Sequence, residues 1–221
     1  MVVKAVVFDL DGTLVDTLPD LHSALAVLLA ERGLALPSAA ATRAMVGDGA
    51  RKLVERALLS SSGARLTESE LDLAHDRFLE VYNAAPCRDS RLFANGQATI
   101  EQLGRLGLAL AVCTNKPQQP TETILETLGL RTHFGAVVGG DAVPRRKPHP
   151  DHLLQVLQGI GSAPEAAVMV GDSKNDLLAA HGCGMRCILV DFGYSSEPVA
   201  TLGADQVISD LAELEAAIAA S

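Results

Sequence analysis

The sequence has no long hydrophobic run. Although 48% of the residues are hydrophobic, no apolar stretch approaches the roughly 18 residues that a membrane-spanning helix needs. The apolar stretch from Val2 to Leu10 is short and is interrupted by charges, so it lacks the order of charged, apolar and small residues that marks a signal peptide. We therefore expect no membrane partner and a cytoplasmic location.

Positive charge is scarce. Lys and Arg together number 18 against 27 Asp and Glu, which gives a formal net charge of −9 at pH 7. Such an acidic chain is unsuited to binding nucleic acid or an anionic membrane surface. An anionic substrate would therefore have to be bound by a local positive site.

Cysteine is also sparse, with four residues and no Cys-x-x-Cys pair. Cys113 lies in an apolar stretch that predicts a buried strand, where cysteine acts as a small core residue. We interpret all four cysteines as free thiols of a reducing compartment. His149 and His152 are close in sequence but have no third ligand nearby, which argues against a zinc site.

The apolar pattern predicts two regions of different architecture. From residue 84 onward, short apolar strands alternate with amphipathic helices, which is typical of βαβ units and a parallel sheet with helices on both faces. Residues 16–83 show helical periodicity and contain no strand candidate. We therefore predict an α/β protein with a core of residues 1–15 and 84–221 and a helical domain of residues 16–83 inserted after the first strand.

The core strands and the last helix can be placed from the same pattern. The chain is expected to end in a helix over Leu211–Ala219. The predicted core strands are, in chain order, Ala5–Phe8, Leu108–Cys113, Ala136–Val138, Ala167–Val170, Arg186–Val190 and Gln206–Ile208.

Two carboxylates follow the first predicted strand. Ala5–Phe8 is continuously apolar, as in a strand buried on both faces, and Asp9 and Asp11 come directly after it. In an open α/β sheet, ligands bind beyond the carboxyl ends of the strands. Carboxylates this close repel each other unless a cation neutralises them, and Mg²⁺ prefers oxygen ligands. The alternative is a strand end that continues into an Asx-type turn.

Two further strand ends carry groups that can bind phosphate. Thr114 and Asn115 follow the second core strand and can donate hydrogen bonds to an anion, although both residue types also favour plain turns. Lys147, in the loop after the third core strand, precedes a proline and can provide a fixed positive charge between carboxylates and phosphate. The alternative is a solvated basic loop, which is what we expect for Arg145 and Arg146.

A second acidic pair follows the fourth core strand. Asp172 can complete a metal site with Asp9 and Asp11. Asp176, one helical turn further on, can orient Lys147 or a metal-bound water. The alternative is a helix cap with one exposed carboxylate.

In chain order, the four strand ends carry Asp-x-Asp, Thr-Asn, Lys-Pro and Gly-Asp-x-x-x-Asp. This ordered set resembles the four motifs of the haloacid dehalogenase superfamily of hydrolases and covers most of the chain. The resemblance implies a Rossmann-like three-layer core with a small α-helical cap. It also implies a nucleophile at Asp9, a general acid/base at Asp11, and Mg²⁺ held by Asp9, Asp172 and the backbone carbonyl of Asp11. Phosphatases and phosphomutases of the superfamily keep a carboxylate at the second position, whereas its dehalogenases do not.

The cap segment narrows the resemblance. Residues 46–58 are similar to the corresponding segment of phosphoglycolate phosphatases, in which two glycines, here including Gly49, would form a tight loop aimed at the active site. Asp48 stands at a position where Asn is expected about as often as Asp. An acidic group there would disfavour a carboxylate-bearing substrate unless Arg51 or Arg43 compensates. Asp48 can also serve simply as a helix cap.

The resemblance implies a function. We expect Mg²⁺-dependent hydrolysis of a small phosphorylated metabolite, 2-phosphoglycolate, through an aspartyl-phosphate intermediate. The enzyme is expected to be a monomer or a homodimer. The alternatives are a broad sugar-phosphate phosphatase, a phosphomutase of the β-phosphoglucose type, and a non-catalytic binding module on the same scaffold.

Overall fold

The structure, a computed structural model, describes residues 3–220. Residues 1, 2 and 221, which the predicted core includes, lie outside the described residues. The strands are β1 (Ala5–Phe8), β2 (Val15–Asp16), β3 (Arg91–Leu92), β4 (Ala109–Cys113), β5 (Ala136–Val138), β6 (Ala167–Gly171), β7 (Arg186–Val190) and β8 (Gln206–Ile208).

Six of these strands form one parallel sheet in the order β5-β4-β1-β6-β7-β8. β1 lies near the middle and pairs with β4 on one side and β6 on the other. Its side chains alternate between two cores, with Val6 and Phe8 in one and Ala5 and Val7 in the other. This double burial explains why the strand is apolar throughout rather than at every second position.

Helices cover both faces of the sheet. The helices are α1 (Leu18–Ala30), α2 (Ala39–Arg43), α3 (Ala50–Ser62), α4 (Glu68–Asn83), α5 (Gly96–Arg105), α6 (Gln118–Thr127), α7 (Asp151–Gly159), α8 (Lys174–Gly182) and α9 (Leu214–Ala219). One core packs α5, α6 and α9 against the sheet and the other packs α7 and α8, so the predicted three-layer α/β fold is confirmed.

In the sequence, the helices α1 to α4 come between β1 and the other strands of the six-stranded sheet, and α1, α3 and α4 share an apolar core that includes Leu25, Leu53 and Phe78. We call them the cap. A capping box begins α4, because Thr67 Oγ1 accepts from the Glu70 N–H and the Glu70 carboxylate accepts from the Thr67 N–H. The division of the chain at residues 15/16 and 83/84 stays a prediction.

Two local features differ from the sequence-based expectation. β2 and β3 form a two-stranded antiparallel pair at the base of the cap, and two residues per strand are too few for an apolar period to be seen. The predicted helix Leu211–Ala219 begins with a single 3₁₀ turn, and its α-helical part starts only at Leu214.

Within residues 3–220, no helix has the length and apolar character needed to cross a membrane.

The four cysteines are free, as the spacing predicted. Cys113 and Cys187 are fully buried in the sheet, where they fill space as small apolar residues.

Candidate active site

The carboxyl ends of β1, β4 and β6 meet at one edge of the sheet, and the ends of β1 and β6 carry acidic residues there. Asp9 continues from β1, and its Oδ1 accepts a hydrogen bond of 2.7 Å from the Leu10 N–H. The loop then turns tightly through Gly12, which has a φ of 83°. A side chain at Gly12 would place Cβ only 2.5 Å from Asp172 Oδ2, so this turn needs glycine for both conformation and space.

Lys147 connects two of the acidic residues. Its Nζ lies 3.1 Å from Asp9 Oδ1, 2.6 Å from Asp176 Oδ1 and 2.6 Å from the carbonyl oxygen of Cys113. The side chain is fully buried. Burial by itself lowers the pKa of an amine, but Asp176 and Asp9 outweigh it and raise the pKa of Lys147 above its ordinary value. The loop therefore provides the fixed positive charge that the sequence predicted.

Asp176 orients Lys147, one of the two roles predicted for it. Its Oδ1 accepts from Lys147, and its Oδ2 accepts from the backbone N–H and the hydroxyl of Ser173 at 3.1 and 2.6 Å. Both oxygens are thereby occupied. Among the clustered carboxylates, Asp176 is thus committed to holding the lysine.

Asp172 forms a cluster of three carboxylates with Asp9 and Asp176. One oxygen of each of Asp9, Asp172 and Asp176 lies within 4.8 Å of the others. Asp172 Oδ2 accepts a 2.5 Å hydrogen bond from the Tyr194 N–H. A Cβ at Gly193 would approach Asp172 Cβ to 2.2 Å, so the loop after β7 closes against the carboxylate only because residue 193 is glycine.

The carboxylate cluster suits a divalent cation. Burial, with added repulsion from Asp176 and Asp11, raises the pKa of Asp9 to about 7 despite the attraction of Lys147. Burial and the charges of Asp176 and Asp9 raise the pKa of Asp172 well above its ordinary value. A cation that binds both would relieve this repulsion, and an all-oxygen donor set is the one Mg²⁺ prefers. The residues present therefore fit Mg²⁺.

Asp11 lies on the same loop, turned toward different partners. The Thr17 hydroxyl donates to its Oδ1 at 2.5 Å, and Lys116 Nζ lies 3.0 Å from the same oxygen. Asp11 is part-buried rather than enclosed. Its carboxylate is thus separate from the cluster of Asp9 and Asp172, which leaves it available for proton transfer.

Lys116 is a buried charged residue at this edge that the sequence reasoning did not single out. It is 4% exposed, and its Nζ also lies 4.6 Å from the centre of the Tyr82 ring, on the cap. Burial lowers the pKa of its amine, but Asp11 and Tyr82 raise it more, so the net direction is upward. A lysine within the Thr-Asn motif of β4 was a visible signal, because functional residues were expected at this strand end.

Thr114 and Asn115 take different roles. Thr114 is buried directly after β4 and lines the same cavity as Asp9 and Asp11, and its phosphate-binding role stays a prediction. The phosphate-binding role of Asn115 stays a prediction, and its side-chain amide has other partners in this structure. Its two amide N–H groups donate to the carbonyl oxygens of Gly47 and Lys147 at 3.0 and 2.9 Å, so both are engaged in holding loops.

The cap loop of residues 47–49 docks on the core. Asn175 donates to Asp48 Oδ1 at 2.7 Å, and Arg146 donates to the carbonyl oxygen of Asp48 at 2.9 Å. Gly49 lies against Arg146 and lines the cavity between cap and core, as its predicted role requires. The expectation of a solvated Arg146 is wrong, because the cap loop covers it. Arg145 instead pairs with Asp151 on the surface.

The charge of Asp48 is compensated by residues other than those expected. Burial raises its pKa, but hydrogen bonds from Asn175 and Arg56 outweigh burial, and the net pKa is lowered. Arg51 pairs with Glu68 and Asp72 on α4 at 2.6 and 2.8 Å. The substrate contact expected of Arg51 stays a prediction, and its guanidinium is engaged by these two carboxylates.

Arg43 also fails to reach Asp48. Its guanidinium donates to the carbonyl oxygens of Phe192 and Gly193 and lies over the Tyr194 ring at 5.5 Å. Arg43 thus ties α2 of the cap to the loop that supports Asp172.

His152 supports the lysine loop from beneath. Its Nδ1 accepts from the Lys147 N–H at 3.2 Å and its Nε2 donates to the carbonyl oxygen of Val138 at 3.1 Å. Burial, together with the charge of Lys147, lowers the pKa of His152 to about 4. The ring is therefore neutral near pH 7. Its two hydrogen bonds give His152 a structural role in holding the loop that carries Lys147.

Comparison with known proteins agrees with this geometry. The family model of haloacid dehalogenase-like hydrolases matches residues 6–190. A phosphoglycolate phosphatase of Rhodospirillum rubrum is 42% identical over 215 residues, which is 96% of this chain and 89% of the relative. One of Caulobacter vibrioides is 41% identical over 203 residues, covering 92% of this chain and 85% of the relative.

A solved structure extends the similarity to three dimensions. The crystal structure of a predicted phosphoglycolate phosphatase from Haemophilus somnus matches with a TM-score of 0.91 and 34% sequence identity, and the match covers 97% of each chain. The sequence match, the fold and the four motif-bearing strand ends are consistent with one another. The chain belongs to the haloacid dehalogenase-like hydrolase family.

Proposed function

We propose that this enzyme is a Mg²⁺-dependent phosphatase that hydrolyses 2-phosphoglycolate to glycolate and phosphate. The observation that carries the chemistry is the meeting of Asp9, Lys147 and Asp172 at one edge of the sheet, with Asp11 on the same loop. The substrate is suggested by the relatives, which are named phosphoglycolate phosphatase and align over nearly the whole chain.

In the first step, a carboxylate oxygen of Asp9 attacks phosphorus. The Leu10 N–H and Lys147 Nζ both contact Oδ1, so we assign the attack to Oδ2. A bond forms between Asp9 and phosphorus while the bond from phosphorus to the ester oxygen breaks. Asp11 gives its proton to that oxygen, and glycolate leaves.

In the second step, Asp11 acts as a base. It takes a proton from a water molecule, the water oxygen attacks phosphorus, and the Asp9–phosphorus bond breaks to release phosphate. Lys147 and the Thr114 hydroxyl would hold the phosphoryl oxygens through both steps, so much of the rate gain comes from positioning and charge stabilisation.

Mg²⁺, held by Asp9, Asp172 and the backbone carbonyl of Asp11, would supply positive charge that offsets the repulsion between the nucleophile and the phosphate. Asp176 would remain with Lys147, since both of its oxygens already accept hydrogen bonds.

The cap would exclude water. Asn115, Asn175 and Arg146 of the core all bind the loop of residues 47–49, which covers the cavity in this structure. Opening would require these contacts to break so that substrate can enter, and closing would restore them before attack.

The cavity favours a small substrate over a sugar phosphate. Its cap wall is largely apolar and includes Leu21, Leu53 and Phe78. Sugar hydroxyls placed against such side chains would lose their hydrogen bonds to water without replacement.

We propose that the enzyme acts in the cytoplasm, because its four thiols are free.

The decisive assay measures phosphate release from 2-phosphoglycolate with Mg²⁺, and from a panel of sugar phosphates. We expect 2-phosphoglycolate to be cleaved with the highest kcat/KM.

Asp9→Asn should lower turnover by roughly 10⁴-fold or more, since it removes the nucleophile. Asp76→Asn, an exposed aspartate on α4, is the matched control and should behave as wild type. Turnover retained by Asp9→Asn would overturn the covalent route, and conversion of a sugar phosphate to an isomer would indicate a mutase.

A further inference from the structure

Lys116 faces the cavity where the organic part of a substrate would lie. The cavity is bounded below by Asp9, Asp11 and Thr114 and above by the cap. Among the described residues that line it, Lys116 has the only cationic side chain. The cap wall offers almost no polar partner, since its side chains include Leu21, Val46, Leu53, Phe78, Leu79 and Tyr82.

The position of Lys116 is fixed from two directions. Asp11 holds its Nζ at 3.0 Å from the core side, and the face of Tyr82 lies 4.6 Å away on the cap side. A cation between a carboxylate and an aromatic ring is stabilised by both. Lys116 is therefore a preformed positive group at the boundary of core and cap, in a chain whose net charge of −9 otherwise disfavours anions.

The spacing also limits the size of the substrate. Asp11 must approach the ester oxygen to about 2.8 Å in order to protonate it. Since Lys116 Nζ is 3.0 Å from Asp11 Oδ1, any anionic group that Lys116 binds at hydrogen-bond distance must lie within roughly 9 Å of that ester oxygen. A carboxylate one carbon away from the ester oxygen satisfies this distance.

We propose that Lys116 selects the substrate by binding a carboxylate carried on the carbon next to the phosphate ester oxygen. This inference rests on the proposed phosphatase function and assigns its substrate specificity to one residue. A phosphate ester whose organic part is uncharged would leave the lysine without this second anion and would gain nothing from it. A carboxylate-bearing ester gains a charge-assisted hydrogen bond in a site largely shielded from water.

The test compares two substrates that differ in the carboxylate alone, 2-phosphoglycolate and ethyl phosphate. Wild type should prefer 2-phosphoglycolate in kcat/KM, and Lys116→Met should reduce that preference by roughly 100-fold, as expected for loss of one partner of a buried charge pair. Any effect of the substitution on Asp11 acts on both substrates and cancels in the ratio. Lys52→Met, on the exposed side of α3, is the matched control and should keep the wild-type ratio.

A binding measurement separates recognition from catalysis. Wild type should bind 3-phosphonopropionate, which mimics 2-phosphoglycolate without a cleavable ester, more tightly than propylphosphonate. Lys116→Met should lose this difference, and Lys116→Arg, which keeps the charge, should retain most of it. If Lys116→Met does not fold, the same comparison is made with Lys116→Gln.

The outcomes distinguish the two proposals. A wild-type enzyme that releases no phosphate from 2-phosphoglycolate contradicts the proposed function, and the phosphonate pair then decides the role of Lys116 by itself. A wild-type enzyme that prefers 2-phosphoglycolate, combined with a folded Lys116 variant of unchanged preference, overturns the role of Lys116 and leaves the phosphatase chemistry intact.

Discussion

Lys147 shows how many contacts hold a single buried positive charge in place. Its ammonium is surrounded by Asp9, Asp176 and the carbonyl oxygen of Cys113, and its backbone N–H donates to His152. Removing a partner would leave a buried charge uncompensated, which commonly costs about 3–5 kcal/mol. The residue is therefore held at both its head and its backbone.

His152 should make the free energy of unfolding depend on pH. Its pKa in the folded protein is about 4, below its ordinary 6.5, so the unfolded state binds the proton more readily. Stability from the neutral ring is full above pH 6.5 and is lost as the pH falls toward 4, by up to about 3 kcal/mol. We expect the stability difference between wild type and His152→Gln, measured by urea unfolding, to shrink by that amount. A difference that stays constant over this range would contradict the buried neutral imidazole.

At the scale of elements, the site depends on strand ends from the core and one loop from the cap. β1, β4 and β6 deliver Asp9, Thr114 and Asp172 to one edge, because parallel strands all end on the same side. The start of α8 contributes Asn175, which donates to both Gly47 and Asp48 in the cap loop. The junction between α8 and the cap loop thus couples cap position to the catalytic edge.

Asn175→Ala should weaken cap closure without removing a catalytic group. It deletes a 2.7 Å hydrogen bond to the Asp48 carboxylate and a longer one to Gly47. A hydrogen bond to a charged group contributes about 1.5–3 kcal/mol, so we expect kcat/KM for 2-phosphoglycolate to fall by roughly 10-fold or more.

The control for this prediction is Gln102→Ala, which loses an exposed hydrogen bond to Glu215 far from the cap. It should retain wild-type kcat/KM. Equal kcat/KM in Asn175→Ala and wild type would show that this contact does not contribute to closure.

At the scale of the whole molecule, repulsion between the buried carboxylates of the cluster lowers the stability of the folded state. Burial and mutual repulsion raise the pKa of both Asp9 and Asp172, so the sheet edge is less stable without a cation than with one. Binding of Mg²⁺ to the folded state should therefore be visible as global stability.

Mg²⁺ at 100 times its Kd should raise the free energy of unfolding of wild type by about 2.7 kcal/mol. Asp172→Asn should be more stable than wild type in EDTA, because one of the repelling charges is gone, and should show little gain from Mg²⁺. Thermal unfolding with EDTA and with MgCl₂ measures both effects. An Asp172→Asn protein that Mg²⁺ stabilises as much as wild type would exclude Asp172 as a ligand.

The sequence by itself determined the sheet strands and the residues at their ends. Continuous apolar runs such as Ala5–Phe8 predict buried strands, and polar residues directly after them are brought to one edge by any parallel sheet. For this reason, the meeting of Asp9, Lys147 and Asp172 followed from local pattern together with one topological rule. β2 and β3 escaped prediction because two-residue strands contain no period.

Only the tertiary structure decided the partners of the long polar side chains. Lys116 meets Asp11 across 105 residues of sequence, and Arg51 meets Glu68 and Asp72 rather than the active site. The amide of Asn115 is taken by two loop carbonyl groups. Apolar periodicity reports which face of an element is buried, whereas the partner of a flexible charged side chain depends on which elements pack together in space.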